Sequence, residues 1–236
     1  MRLLLLSNST MPGEVYLDYP KHEIQRFLGS QKVKALFIPY AAVTFSFDEY
    51  EAKVNERFQE IGHEVVGIHH FPDPVKAVQQ AEAIIVGGGN TWQLVRVLHE
   101  LGLMYAIRDK ALNGAPYIGW SAGSNVACPT LRTTNDMPII DPTSFNTTNL
   151  VPFQINPHYL DANPEGHGGE TREQRINEFI ELNPKMRVVG LREGTMLKLE
   201  NGKLDLIGSR SARIFHKGGA PRELQAGDDF SFLLKV

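Results

Sequence analysis

Over the first 120 residues, short apolar runs alternate with longer stretches in which apolar positions recur every three or four residues. Leu3 to Leu6 ends in Ser7-Asn8-Ser9-Thr10, and Ala35 to Ile38 ends at Pro39. Val65 to Ile68 follows Gly62, Ala83 to Val86 runs into Gly87-Gly88-Gly89, and Tyr117 to Trp120 runs into Ser121. Runs that are apolar on both faces and closed by turn residues predict buried parallel strands. Between them, Ser46 and Glu49 stand at capping-box spacing, and Tyr50, Val54, Phe58 and Ile61 follow at helical intervals. Asn90-Thr91 opens a segment carrying Leu94, Val95, Leu98 and Leu101 that stops at Gly102. Thr171 and Gln174 form a second capping box ahead of Ile176, Phe179 and Ile180.

This alternation predicts an α/β fold, a mostly parallel central sheet flanked by helices on both faces. The C-terminal part changes character. Leu197 to Glu200 and Lys203 to Leu206 alternate on either side of Asn201-Gly202, a strong hairpin signal. Arg213-Ile214-Phe215 and Phe230 to Leu234 read as two more short strands, so an antiparallel extension of the sheet is expected. No repeat, low-complexity tract or linker divides the chain, which predicts a single catalytic domain over 1–236.

Charge and composition narrow the classes. The 24 Lys+Arg and 27 Asp+Glu give a net charge of −3, against a strongly basic nucleic-acid surface. The one cysteine, Cys128, rules out an intramolecular disulfide and fits a reducing compartment. No apolar run approaches the ~20 residues that span a bilayer. Leu3 to Leu6 is also shorter than a signal-peptide core of roughly 7–15 residues. A cytoplasmic protein with neither nucleic-acid nor membrane partners is expected.

Two segments at strand ends carry candidate chemistry. Gly119-Trp120-Ser121-Ala122-Gly123 is G-x-S-x-G between a strand and a helix, the context in which a sharp turn presents a serine nucleophile. A bare small-residue turn is the plain alternative. Gly87-Gly88-Gly89-Asn90-Thr91 lacks both the dinucleotide fingerprint and the P-loop lysine. On a neighbouring strand, Gly88 or Gly89 could join Ala122 in supplying N–H groups to an oxyanion. A serine nucleophile needs a base and an acid. Of the eight histidines, His63 and His99 read as solvated, His69 and His70 end a strand, and His158 lies in a Pro-fixed loop. Periodicity does not choose among them.

Longer motifs do. Gly87 to Thr91, Gly119 to Gly123, Arg132-Thr133-Thr134-Asn135-Asp136-Met137-Pro138, Asn156-Pro157-His158 and Pro164-Glu165-Gly166-His167 occur in one chain and in that order. With Leu3 to Thr10 and Gly169 to Arg175, they resemble the peptidase E family of bacterial alpha-aspartyl dipeptidases, over nearly the whole length. The resemblance implies a fold like that of class I glutamine amidotransferases, with serine in place of their cysteine. It implies Ser121 as nucleophile and His158 as general base. For the acid it offers Glu193, favoured by the order Ser, His, Glu, and Asp136, which could instead hold the substrate ammonium. Arg192 stands where the family often has a proline before that glutamate.

An acidic substrate side chain calls for a cation, and the arginine fork suits a carboxylate. Arg172, at the start of the helix capped by Thr171, is the first choice, with Arg132 and Arg175 behind it and Asn90 as a further binding residue. The expected reaction is hydrolysis of Asp-Xaa dipeptides by a monomer or homodimer, without cofactor or metal. His167 with Glu165 and Glu170 reads as a solvated loop rather than a metal site. Three alternatives stand beside this: a cyanophycinase-like β-aspartyl peptidase, an α/β-hydrolase esterase using Asp205 and His216, and a binding module that holds an anion on the glycine loop.

Overall fold

The structure is a computed structural model, described for residues 1–163, 165–166 and 168–235. The expected strands form, with small changes at their ends: β1 (Arg2–Leu6), β2 (Lys34–Ile38), β3 (Glu64–Gly67), β4 (Ile84–Val86) and β5 (Pro116–Trp120). They lie parallel in the order β3-β2-β4-β5-β1. The Asn201-Gly202 hairpin is β8 (Met196–Glu200) with β9 (Lys203–Ile207), added antiparallel along β1. The inner strands β1, β2, β4 and β5 are buried on both faces because helices cover both. α1 (Lys21–Leu28) and α2 (Phe47–Glu60) pack on one side through Ile24, Phe27, Val54 and Phe58. On the other side lie α3 (Pro74–Gln80), α4 (Thr91–Glu100) and α5 (Leu103–Leu112), through Val78, Leu94, Leu98 and Ile107.

The helix starts follow the capping chemistry. Ser46 and Thr171 each close a full capping box, and the Asn90 side chain caps α4. α5 begins directly after α4 because Gly102, at φ +66°, lets the chain reverse between them. α6 is a single turn (Ala122–Asn125) after β5, and α7 (Arg172–Leu182) follows the His158 region.

The structure departs from the expected pattern in three places. A second sheet, in the order β11-β10-β7-β6, joins β6 (Gln154–Asn156), β7 (Val188–Gly190), β10 (Ala212–Phe215) and β11 (Arg222–Leu224). β6 and β7 run parallel in three-residue strands, too short to leave a period in the sequence. The run Phe230 to Leu234 is not a strand. Asp229 accepts the Ser231 N–H at 2.8 Å and starts a 3-10 turn over Ser231–Leu234, which buries Leu233. His63 is not solvated: it is buried, its Nδ1 accepts the Val33 N–H at 3.2 Å, and burial lowers its pKa. No helix among the described residues is long and apolar enough to cross a membrane.

Candidate active site

Three strand ends converge. β5 ends at Trp120, β6 at Asn156 and β7 at Gly190, and the residues just beyond them are Ser121, His158 and Glu193. This is the carboxyl edge of parallel strands, where open α/β sheets hold their ligands.

Ser121 sits at φ +52°, ψ −110°, a strained conformation for a residue with a side chain. The turn is held by close approach on both flanks. A Cβ on Gly119 would overlap the Gly123 carbonyl, and one on Gly123 would overlap the Val86 carbonyl. The Ser121 N–H bonds the Leu6 carbonyl at 3.1 Å, and the fully buried Ser124 hydroxyl donates to the Gly119 carbonyl at 2.8 Å. The side chain thus points away from a packed backbone, as a nucleophile elbow requires.

His158 Nε2 lies 3.0 Å from Ser121 Oγ, and His158 Nδ1 lies 2.6 Å from Glu193 Oε1. His158 is itself at φ +53°. Side chains hold it there. Its N–H donates to Ser7 Oγ at 2.9 Å, and that hydroxyl donates to the Leu191 carbonyl at 2.7 Å. Asn8 Oδ1 accepts the Gly194 N–H at 2.9 Å, next to Glu193. Asn135 donates to the Pro157 carbonyl at 2.6 Å and accepts from the Asn156 amide at 2.7 Å. Arg192 reaches Asp161, Glu223 at 2.8 Å and the Ser211 carbonyl at 2.7 Å, so the loops on either side of His158 and Glu193 share one cation.

The glycine loop lies beside the serine. A Cβ on Gly88 would come within 3.1 Å of Ser121 Cβ. Trp120 Nε1 donates to the Tyr50 hydroxyl at 3.1 Å, and Tyr50 donates to the Gly88 carbonyl at 2.9 Å, which orients this peptide. Burial pushes the Tyr50 hydroxyl up to about 12, so it stays a donor. Among the described residues, the N–H groups of Gly88, Gly89 and Ala122 meet no protein acceptor, as an oxyanion pocket requires.

A cavity of about 710 Å³ opens over Ser121, with Trp120, Tyr16, Lys53, Asp136 and His158 among its walls. Asp136 does not touch His158. Its Oδ2 accepts the Thr91 N–H at 2.7 Å and the Thr91 hydroxyl at 2.6 Å, at the positive end of α4. Beyond Asp136, Arg132, Arg172 and Arg175 line a smaller basin of about 300 Å³. Arg175 pairs with Glu170 at 2.9 Å, and Arg132 lies over the Phe145 ring. Among the described residues Arg172 makes no ion pair. Burial lowers its pKa, and the nearby Asp136 charge opposes that.

Several expected residues do other work. Asn90 accepts the Gln93 N–H and donates to the Met137 carbonyl, so its side chain is committed to the loop. Asp205 pairs with Lys203 on β9, and His216 bonds the Lys217 carbonyl just past β10. Neither meets Ser121, so the esterase pair does not assemble. Cys128 is fully buried, which pushes its thiol up and leaves it unreactive. Glu165 and Glu170 are exposed, and His167 lies outside the described residues, as does Pro164. The sequence reading missed Ser7 and Asn8 as site residues. Their signal was positional: they directly follow an apolar central strand that borders β5.

A serine bonded to a histidine that is bonded to a carboxylate, beside free N–H donors, is the arrangement of a serine hydrolase. The comparisons narrow this. Residues 3–207 match the model of Peptidase family S51, and the chain belongs to that family. It is 54% identical to a Peptidase E of Nostoc sp. over 234 residues, 99% of this chain and 97% of that one. It is 49% identical to a Peptidase E of Salmonella typhimurium over 230 residues, 98% of this chain and all of the other. A crystal structure of a peptidase from an acI-B1 Actinobacterium superposes with a TM-score of 0.72, covering 98% of this chain and 96% of that one, at 19% identity. A structure from Listeria monocytogenes gives a TM-score of 0.66, covering 88% and 98% at 20% identity. The fold is therefore the amidotransferase-like α/β class that the sequence implied.

Proposed function

We propose that the protein is a serine-type dipeptidase that hydrolyses Asp-Xaa dipeptides through an acyl-enzyme on Ser121. The observation that carries this is the continuous hydrogen-bonded line from Glu193 through His158 to Ser121 at the wall of an open cavity. His158 Nε2 takes the Ser121 proton as Oγ attacks the aspartyl carbonyl. Glu193 holds Nδ1–H and stabilises the imidazolium that forms. The oxyanion meets the N–H groups of Ala122 and of Gly88 or Gly89, each such donor worth ~2.7–4 kcal/mol in the transition state. His158 then protonates the leaving amine, and a water it deprotonates releases aspartate.

Recognition needs one anion and one cation. Asp136 has a carboxylate oxygen to spare for the substrate ammonium, so its role is binding rather than the triad acid. Arg172 suits the aspartyl carboxylate because it is half-buried, unpaired among the described residues and electrostatically coupled to Asp136. Arg132 and Arg175, already engaged, shape the basin around it. The participating residues run from Ser7 to Gly194, so we read the chain as one catalytic unit.

The test is a panel of Asp-Leu, Glu-Leu, Asn-Leu and β-Asp-Leu given to wild type and Ser121→Ala. Asp-Leu should be the substrate, and Ser121→Ala should lose at least about 10,000-fold in kcat. No cleavage of Asp-Leu would sink the proposal. Arg172→Ala should lose about 100-fold in kcat/KM on Asp-Leu, the scale of a deleted buried charge partner. Labelling of Ser121 by a generic serine reagent should persist, and equal loss of both would remove Arg172 from specificity.

A further inference from the structure

α2 has two chemical faces. Glu49, Tyr50 and Lys53 line the Ser121 cavity. Asp48 and Glu51, one helical turn apart, instead face the 3-10 turn Ile68–His70 that follows β3. There four side chains converge. His69 Nε2 lies 2.9 Å from Asp48 Oδ1 and 3.6 Å from Glu51 Oε2. His70 Nε2 lies 2.6 Å from Glu51 Oε2 and 3.7 Å from Asp48 Oδ1. All four atoms fall within 4.8 Å of one another.

We propose that Asp48, Glu51, His69 and His70 bind one divalent transition-metal ion of the zinc type, distinct from the catalytic centre. Ligands at about 2.0–2.2 Å from a tetrahedral ion lie roughly 3.3–3.6 Å from each other. The observed separations bracket that value, so small side-chain rotations would seat an ion. Two imidazoles with two carboxylates favour zinc or cobalt over magnesium or calcium, which prefer oxygen alone.

The backbone makes room for the cluster. A Cβ on Gly67 would overlap the His69 ring and come within 2.6 Å of Glu51 Oε2, so any larger residue there would displace two of the four ligands. The Phe47 ring packs against His69 at 5.6 Å and limits its rotation. Glu51 and His69 are the sheltered pair, at 18% and 16% side-chain exposure, while Asp48 and His70 open to solvent and give an ion its path in. A bound ion would tie the start of α2 to the end of β3 and fix the helix that forms one wall of the substrate cavity. Nothing in the sequence pattern predicts this cluster, because residues 48–51 and 69–70 meet only in the fold.

The test uses full-length, untagged protein stripped with chelator and titrated calorimetrically with Zn²⁺. Wild type should bind one equivalent. Co²⁺ should give the intense visible bands of a tetrahedral complex, and Mg²⁺ and Ca²⁺ should give no saturable heat. His70→Ala, at an exposed position, should weaken Zn²⁺ binding at least about 10-fold, since even an outer-shell partner is worth 10–100-fold. Glu51→Gln should do the same. His158→Ala should keep the site, which separates it from zinc on the catalytic histidine. The proposal fails if wild type binds no stoichiometric Zn²⁺, if His70→Ala and Glu51→Gln bind as wild type does, or if His158→Ala abolishes binding.

Discussion

The proposed nucleophile, Ser121, and its proposed partners, His158 and Glu193, are held by different means. Ser121 is fixed by backbone packing: Gly119 and Gly123 are pressed against carbonyls, and the strained φ follows from that contact. His158 and Glu193 lie beyond three-residue strands and are fixed by side chains, chiefly Ser7, Asn8, Asn135 and Arg192. A turn held by sterics fails when any volume is added. Loops held by hydrogen bonds should lose their bonds one at a time. The elbow should therefore be brittle, and the base and acid loops should degrade in steps.

Short of removing Ser121, the largest effect should come from the acid itself. Glu193→Gln keeps the shape but can present a donor to Nδ1, and kcat should fall about 10,000-fold, as for the equivalent change in other triads. Asp136→Asn should chiefly raise KM. Steady-state kinetics on Asp-Leu would reverse the two roles if Asp136→Asn took the larger loss in kcat.

Next is the brittle region. Gly123→Ala adds one carbon against the Val86 carbonyl, and about 1 Å of displacement at Ser121 should cost about 100-fold in activity. The thermal midpoint should fall as well, because the added carbon overpacks the core. A Gly123→Ala protein with wild-type activity and midpoint would remove the steric account of the elbow.

Ser7→Ala should be milder. It leaves the His158 N–H without its partner, a penalty of about 1–3 kcal/mol for a buried group, while the Leu191 carbonyl keeps the Tyr159 N–H at 3.1 Å. We expect kcat to fall about 10-fold with KM little changed. A loss as large as that of Gly123→Ala would erase the contrast between the two regions.

The smallest effect is set by pH. Hydrogen bonds from Arg192 hold the Glu223 carboxyl down at about 2, and Arg192 lowers Asp161 as well. A depressed carboxylate stabilises the fold above its ordinary range and loses that contribution as pH falls through the native value. The thermal-midpoint gap between wild type and Arg192→Leu should therefore be constant from pH 7 to 5. It should close between about pH 4.5 and 2. A gap that stays fixed down to pH 2 would show that Arg192 acts through packing alone.

The same contrast explains what could be read from the chain. The five parallel strands, the hairpin and the helices capped by Ser46, Asn90 and Thr171 are legible because burial and capping leave local patterns. The elbow was legible because sterics demand glycine at fixed positions. β6, β7 and the bonds of Ser7 and Asn8 left none. The groups that Ser7 and Asn8 hold in the site lie some 150 to 190 residues away in sequence, and a three-residue strand has no period. Resemblance to a family supplied His158 and Glu193 as candidates, and in the fold Glu193 bonds His158 while Asp136 bonds Thr91. Phe230 to Leu234 misled because apolar content alone does not distinguish a strand from a tight turn.

The central position of β1 also has a consequence for how the chain is made. Leu3 pairs with Tyr117 on one side and Leu199 on the other. Of the described strands β1 is made first, yet it gains β5 only after about half of these residues are synthesised and β8 only after residue 199. Closing such distant contacts is slow, and exposed apolar strands aggregate in the meantime. Catalytic competence should arrive late in folding, after the chain has passed residue 199, because the same strand carries Ser7 and Asn8 into place.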